Sequence, residues 1–229
     1  MTKAEILKRV YPSVTTFAAD WRKMVREVKR YKLEKISLFL TCVDYAERQK
    51  IYRELEKTPV QEIPHVHLRH DMRERELDYL VRRYKTQVFT AHFQYYKCYA
   101  ASKHLKNIYL ESNRGPGLIK NLRPFKKVGG VCADLSHLFM FKKFDPDAKT
   151  MADKAIAVSR VGINHVSAIL PDGRSWHQVK NIHELDYLAE LPKKYFSRYI
   201  CIELRNSVKE QLKFKKYIGG LLFKTWHSS

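Results

Sequence analysis

The sequence predicts an α/β fold: a single, compact (β/α)8 barrel of the TIM type, with a parallel eight-stranded barrel inside and helices outside. Three observations carry this expectation. Short apolar runs alternate with amphipathic helical stretches along the whole chain, an order that implies parallel strands joined by helical crossovers. Counted through, the pattern gives eight strand-helix units, the signature of such a barrel. No low-complexity segment or Gly/Ser/Pro-rich linker interrupts the series, so residues 1–229 read as one domain. At 229 residues and 45% hydrophobic content the chain can bury a sizeable core, although the length is compact for this architecture. A doubly wound open sheet is the structural competitor.

The elements follow in order. After a short N-terminal helical turn comes a weak strand over Val10–Val14, weak because it is barely strand-length and carries Pro12. A helix follows from Asp20, its N-cap, to about Leu33. The second strand, KISLFLT, leads to the helix YAERQKIYRELEK capped by Asp44. The third strand, PHVHLRH, precedes RERELDYLVRRY, and the fourth, QVFTAHF, precedes a helix over YYKCYAASKHL. The fifth is NIYLES, followed by a glycine-rich turn and IKNLRPFKKV. GVCAD is the sixth, followed by the helical region DAKTMADKAIAVSRV. INHVSAI is the seventh, with ELDYLAEL after it, and RYICIEL is the eighth, with VKEQLKFKKYI after it. The tail from Gly219 to Ser229 is placed past the last helix, with its apolar part packed on the barrel.

Composition narrows the class. No cationic segment followed by an apolar one opens the chain, and no apolar run approaches the ~20 residues needed to cross a bilayer. A soluble, cytoplasmic protein without a membrane partner is therefore expected. Cys42, Cys98, Cys132 and Cys201 are widely spaced and form no CxxC pair, so they read as small core residues rather than a disulfide framework or zinc knuckle. The 44 Lys and Arg against 24 Asp and Glu give a net charge of +20, a field that attracts nucleic acid or phosphorylated small molecules. The cations recur on the polar faces of most helices, and no RNA-recognition or zinc-finger motif accompanies them. A solvated basic surface is an equal reading.

In a barrel of this type the chemistry gathers at the C-terminal strand ends, and inward side chains share one parity along each strand. In NIYLES, Ile108 and Leu110 face the helices, which turns Tyr109 and Glu111 inward. In YICIEL, Cys201 and Glu203 face in. The same logic turns Asp134 inward after Cys132, His92 after Thr90, and His165 after Ile163, and it puts His67 on the parity of His65 and Arg69. Glu111, Asp134, His165 and Glu203 thus converge from four strands. Carboxylates and imidazole in one polar pocket suit Mn²⁺, Mg²⁺, Co²⁺ or Zn²⁺. Taken singly, each has a plain reading as a rim charge, a structural histidine or, for Asp134, a turn cap. The shared parity favours the ligand reading over the cap.

The series YLESN, GVCADLSH, NHVSAI and CIEL resembles the xylose isomerase-like TIM-barrel superfamily, which includes sugar isomerases, epimerases and abasic-site nucleases of the endonuclease IV type. The resemblance runs from about the second strand to the eighth, and its most specific element is the Asp-x-x-His of Asp134 and His137. It implies one shared divalent metal on Glu111, Asp134, His165 and Glu203, with His137 beside it on substrate or a second metal. In the isomerase and epimerase branch, two glutamates move a proton through an enediolate, and Glu111 and Glu203 would be those catalytic bases. In the nuclease branch, further histidines bind up to three zinc ions and a zinc-activated water attacks the phosphodiester. His67 and His92 stand where that branch has additional ligands. His177 would serve the third ion, but Ser175 stands where its Asp partner is expected.

The strand-to-helix loops are short, which favours a small sugar, polyol or sugar phosphate as substrate. The expected activity is a metal-dependent isomerase or epimerase. The alternatives are a zinc phosphodiesterase acting on abasic DNA, and a degenerate barrel that binds nucleic acid without catalysis. Arg69 is read either as an anchor for a substrate anion or as a salt-bridge partner of a ligating carboxylate. His65 lies deeper and reads as structural. Arg114–Gly117 reads as a tight turn rather than an anion cradle, and FQYYKCY as core and helix face rather than a base-stacking platform.

Overall fold

The computed structural model describes residues 1–113 and 115–227. Its strands are β1 (Val10–Tyr11), β2 (Ser13–Thr15), β3 (Lys35–Phe39), β4 (Glu62–His67), β5 (Val88–His92), β6 (Ile108–Glu111), β7 (Gly130–Asp134), β8 (Val161–Val166), β9 (Ala168–Ile169), β10 (Ser175–Trp176) and β11 (Ile200–Ile202). Nine of them form one sheet in the order β1-β11-β8-β7-β6-β5-β4-β3-β2, while β9 and β10 make a separate antiparallel hairpin. Every pairing in the large sheet is parallel.

The two ends of that order are neighbours in the chain, separated by Pro12 alone. The sheet is therefore a nearly closed barrel, and its seam is the break that proline makes. Where one strand over Val10–Val14 is expected, two short ones form. Val10 and Tyr11 pair with Ile200 and Cys201 on one side, and Ser13 pairs with Ser37 on the other. Proline has no amide to give to a ladder, but its carbonyl still accepts from Ser37 N at 2.8 Å. Buried Gln211 stitches the seam: its Oε1 accepts from Ser13 N at 2.7 Å, and its Nε2 donates to Ser13 O at 3.2 Å.

The helices are α1 (Lys3–Arg9), α2 (Trp21–Arg30), α3 (Tyr45–Glu56), α4 (Glu74–Tyr84), α5 (Tyr96–Tyr99), α6 (Leu135–Phe144), α7 (Pro146–Val158) and α8 (Val208–His227). Asp20 and Asp44 cap α2 and α3 through their side chains, as expected. Four expectations fail. The helix over Tyr95–Leu105 shrinks to the single turn α5 flanked by 3₁₀ turns, and Ser102 Oγ draws the His104 amide out of helical pairing. Residues 119–128 form only a 3₁₀ turn at Pro124, and ELDYLAEL lies in a 3₁₀ run, Ile182–Glu190. The tail does not leave the last helix, since α8 continues to His227 and Gly219 lets it lie against Leu7. Beyond these, α6 is a helix that none of the expected elements covers.

The core has two compartments. Outward faces of the strands, such as Leu38, Val66, Phe89, Ile108 and Leu110, pack on Val28, Ile51, Leu77 and Leu80 of the helices. Ile200 and Ile202 pack likewise on Phe214 and Ile218 of α8. Burying each such side chain contributes about 1.5–3 kcal/mol. Inward faces form a second cluster of Phe39, Val88, Tyr109, Cys132, Ile163, Tyr199 and Cys201. Tyr109 fills the floor. A Cβ on Gly162 would meet its ring at 1.9 Å, and one on Gly129 would meet the Lys106 carbonyl at 2.6 Å and the ring at 2.9 Å, so neither position has room for a side chain.

Cys132 and Cys201 are core residues as expected, whereas Cys42 and Cys98 are exposed. Cys42 lies in the turn after β3, and Cys98 lies on the exposed side of the short helix α5. No helix of the described residues is long and apolar enough to cross a membrane. Arg114 of the expected tight turn lies outside the described residues.

Candidate metal centre

Above the apolar floor, the inward positions become polar. Glu111 ends β6, Asp134 ends β7, His165 sits near the end of β8, and Glu203 follows β11. One ligand atom from each of these four lies within 4.8 Å of the other three. His165 Nδ1 stands 3.2 Å from Glu111 Oε2 and 3.3 Å from Glu203 Oε2. The register explains the convergence, because Asp134 is paired with His165 and Glu111 with Cys132.

Two buried atoms in this group make no hydrogen bond: Asp134 Oδ2, and His165 Nδ1, which is within ion-pair reach of both glutamates but not in hydrogen-bond geometry with either. A buried polar atom without a partner costs about 1–3 kcal/mol, and more where charge is involved. Both belong to residues of the converging set, so a divalent cation is the partner that would satisfy them. The mixed His and carboxylate donors are those that Zn²⁺, Mn²⁺, Co²⁺ or Mg²⁺ accept. The residues present fit the ion.

Asp134 does two things. Its Oδ1 accepts from the backbone amide of His137 at 2.9 Å and from Ser136 Oγ at 2.7 Å, which caps α6. Its Oδ2 is left to the cluster. The cap that the parity argument set aside is present together with the ligand position, and Ser136, which supports it, was not singled out from sequence.

A second group, His67, Glu111 and His165, overlaps the first. His67 Nδ1 lies 3.0 Å from the Leu68 carbonyl, which can only accept, so Nδ1 carries a proton. Nε2 then faces Glu111 Oε2 at 3.0 Å, a contact that requires either a second ring proton or a cation. His92 Nε2 lies 4.0 Å from the same carboxylate oxygen, and Asn113 Nδ2 lies 3.0 Å from His92 Nε2. His137 Nδ1 is 3.7 Å from Glu111 Oε1 and 3.6 Å from Asp134 Oδ2. His177 reaches the opposite side, its Nδ1 at 3.1 Å from Ser167 Oγ and 3.2 Å from Glu203 O.

Electrostatics follow from burial and from these contacts. Burial alone would raise both glutamates, but His165 more than offsets it. Glu111 falls well below the usual carboxylate range, and Glu203 falls to about 2. Burial opposes a charge on His165 as well, yet Cys132, Glu111 and Glu203 together hold its pKa well above the ordinary value. Burial pulls His92 down to about 4 and His65 well below the ordinary value.

Of the residues anticipated from sequence, Glu111, Asp134, His165, Glu203, His67, His92, His137 and His177 are brought together. Arg69 is not. It lies past the end of β4, and its guanidinium donates to Val43 O at 3.1 Å and pairs with Asp71 at 3.2 Å, so neither role suggested for it at the cluster is met. His65 lies beneath the cluster, between Ser37 and Thr90. Thr90 and Ser37 were not marked as site residues, because a buried hydroxyl on an inward parity has no sequence signal beyond the parity itself.

No protein-family model matches the chain, and no curated protein does. Among solved structures it is similar to an uncharacterised protein from Parabacteroides distasonis, at 13% identity over 90% of this chain and 98% of that one, with a TM-score of 0.42. A likeness at that level carries no argument about the site.

Proposed function

We propose that the protein is a divalent-metal-dependent isomerase or epimerase of the xylose isomerase-like kind, acting on a small sugar, polyol or sugar phosphate. In this reading β1 and β2 are one barrel strand broken at Pro12, which restores the eightfold unit. The observation that supports the activity is that two glutamates from different strands, Glu111 and Glu203, flank one buried histidine nitrogen at 3.2 and 3.3 Å. Glu111, Asp134, His165 and Glu203 would hold the ion, which supplies Lewis-acid stabilisation of negative charge on substrate oxygens. Glu111 and Glu203 are held ionised by His165 in the metal-free site, and a bound ion would keep them so in its place, the state a base must have before it takes a proton from carbon. One carboxylate removes that proton through an enediolate and a carboxyl group returns it. His137, beside Glu111 and Asp134, would orient a substrate oxygen. The test is NMR of a panel of aldoses, ketoses and their phosphates in D₂O with Mn²⁺. Deuterium should enter beside the carbonyl and should cease to enter with Glu203→Gln, and exchange undiminished in that variant would overturn the mechanism.

A second reading is a zinc phosphodiesterase acting on abasic DNA. It is favoured by the overlapping group of His67, Glu111 and His165, which offers a second ion a place, and by the charge of +20. Ser175 weighs against a third ion, since its hydroxyl lies 2.9 Å from Ser136 Oγ in place of the carboxylate that the nuclease pattern requires. Two or more zinc ions per chain together with incision of an abasic duplex at low salt would establish it, and no incision with zinc present would remove it.

A further inference from the structure

A line of buried side chains runs down from the metal centre into the barrel. His165 Nε2 lies 3.4 Å from Thr90 Oγ1 and 3.4 Å from His65 Nε2. His65 Nε2 lies 2.9 Å from Thr90 Oγ1, and its Nδ1 lies 2.5 Å from Ser37 Oγ. The Cys201 thiol is next along the line, within electrostatic reach of the Ser37 hydroxyl. All five residues are buried, and the Phe39 ring stands edge-on to both imidazoles, with centroids 5.1 Å from His65 and 5.0 Å from His165.

We infer that Thr90 and His65 are positioning residues that fix the tautomer of His165 and so present its Nδ1 lone pair to a divalent ion. The inference rests on the metal reading of the site. A ligating nitrogen must be bare, so the ring proton of His165 must sit on Nε2 and must be accepted there. A single direction of donation does this and leaves no donor idle. His165 Nε2–H gives to Thr90 Oγ1, Thr90 O–H to His65 Nε2 and His65 Nδ1–H to Ser37 Oγ, which leaves the Ser37 O–H to turn toward Cys201. Reversing the line would strip Nε2 and put the proton on Nδ1, facing the two glutamates where the ion belongs. A line with a hydroxyl at alternate places can hold one direction along its whole length because each hydroxyl both donates and accepts. His65 stays on the floor of the site with no part in holding substrate, which accounts for a buried histidine 3.4 Å from His165 without making it a ligand.

Zinc titration calorimetry on wild type, Thr90→Val and Thr90→Ser tests this, together with ¹⁵N NMR of the histidine side chains in the zinc-loaded wild type. Thr90→Val keeps the shape and removes the hydroxyl, and it should weaken zinc binding by about ten- to a hundredfold, whereas Thr90→Ser should retain it. The NMR spectrum should show His165 with Nε2 protonated and Nδ1 on the metal. Undiminished affinity in Thr90→Val, or zinc on Nε2 of His165, would overturn the inference and leave the metal centre standing. No zinc binding by the wild type would overturn the metal reading and the inference with it. Should Thr90→Val fail to fold, the wild-type spectrum still decides.

Discussion

The Oδ1 of Asp134 accepts from the backbone amide of His137 at 2.9 Å, while its Oδ2 is buried without a hydrogen-bond partner, 3.6 Å from the His137 ring. One carboxylate thus caps a helix and faces a metal position, and the two roles separate by substitution. Asp134→Asn retains a capping oxygen and removes the charge. It should bind Zn²⁺ or Mn²⁺ at least tenfold more weakly, with metal-free stability no lower than wild type. Asp134→Ala should lose the cap as well, at a cost of about 1 kcal/mol. Calorimetry and urea unfolding of the two variants check the pair.

The metal-free protein should have a bounded pH optimum of stability. The Glu203 carboxyl, held at about 2, contributes stability that is complete above the unfolded value of ~4.3 and is lost as pH falls toward about 2. His165, held well above its ordinary value, contributes stability that is complete below ~6.5 and is lost as pH rises through its folded value. The contribution of this pair is therefore greatest between roughly pH 4.3 and 6.5, and His92 and His65, held below their ordinary value, lose stability as pH falls below ~6.5 and move the optimum to the upper end of that window. A divalent ion replaces the His165 proton, so its binding should strengthen with rising pH and remove the alkaline decline. Thermal unfolding across pH, with and without EDTA, measures both limbs.

Much of the metal centre was legible because parity along a strand is a rigid rule. Glu111 and Asp134 end strands whose outward neighbours, Leu110 and Ala133, are apolar, so their inward direction followed directly. Arg69 misled because the same parity was carried past His67, where β4 ends and the chain turns toward Asp71. The cap at Asp134 was ranked below the ligand role, and the helix it caps, α6, was missed. LSHLFMFKKF is apolar nearly all round, so it lacks the one-sided pattern that marks a surface helix. The tail went wrong for a similar reason, since Gly219 and Gly220 read as a stop, whereas Gly219 is needed for contact with Leu7.

Gly162→Ala should be strongly destabilising. Its Cβ would lie 1.9 Å from the Tyr109 ring, which Arg160 also holds through the phenol oxygen, so the ring has to move. A loss of about 1–3 kcal/mol is expected from overpacking of this kind. Tyr109→Leu in the same chain should restore part of it, and chemical denaturation of the single and double variants decides.

Arg48 is wholly buried in α3 and forms a two-point pair with Glu76, Nε to Oε2 at 2.8 Å and the second nitrogen to Oε1 at 2.9 Å. Glu76→Gln leaves the guanidinium with reduced compensation, and a cost of about 3–5 kcal/mol is expected. Replacing both by apolar residues, Arg48→Met with Glu76→Leu, should recover most of that. The comparison reads out as a shift in unfolding midpoint.

The central claim is that Glu111, Asp134, His165 and Glu203 hold a divalent ion. Elemental mass spectrometry of the purified protein, followed by titration of the EDTA-stripped chain with Zn²⁺, Mn²⁺, Co²⁺ and Mg²⁺, tests it most directly. At least one ion per chain in the wild type, lost in His165→Ala while the fold persists, is the result predicted. A wild-type chain that is folded, arrives empty and binds none of the four would contradict it.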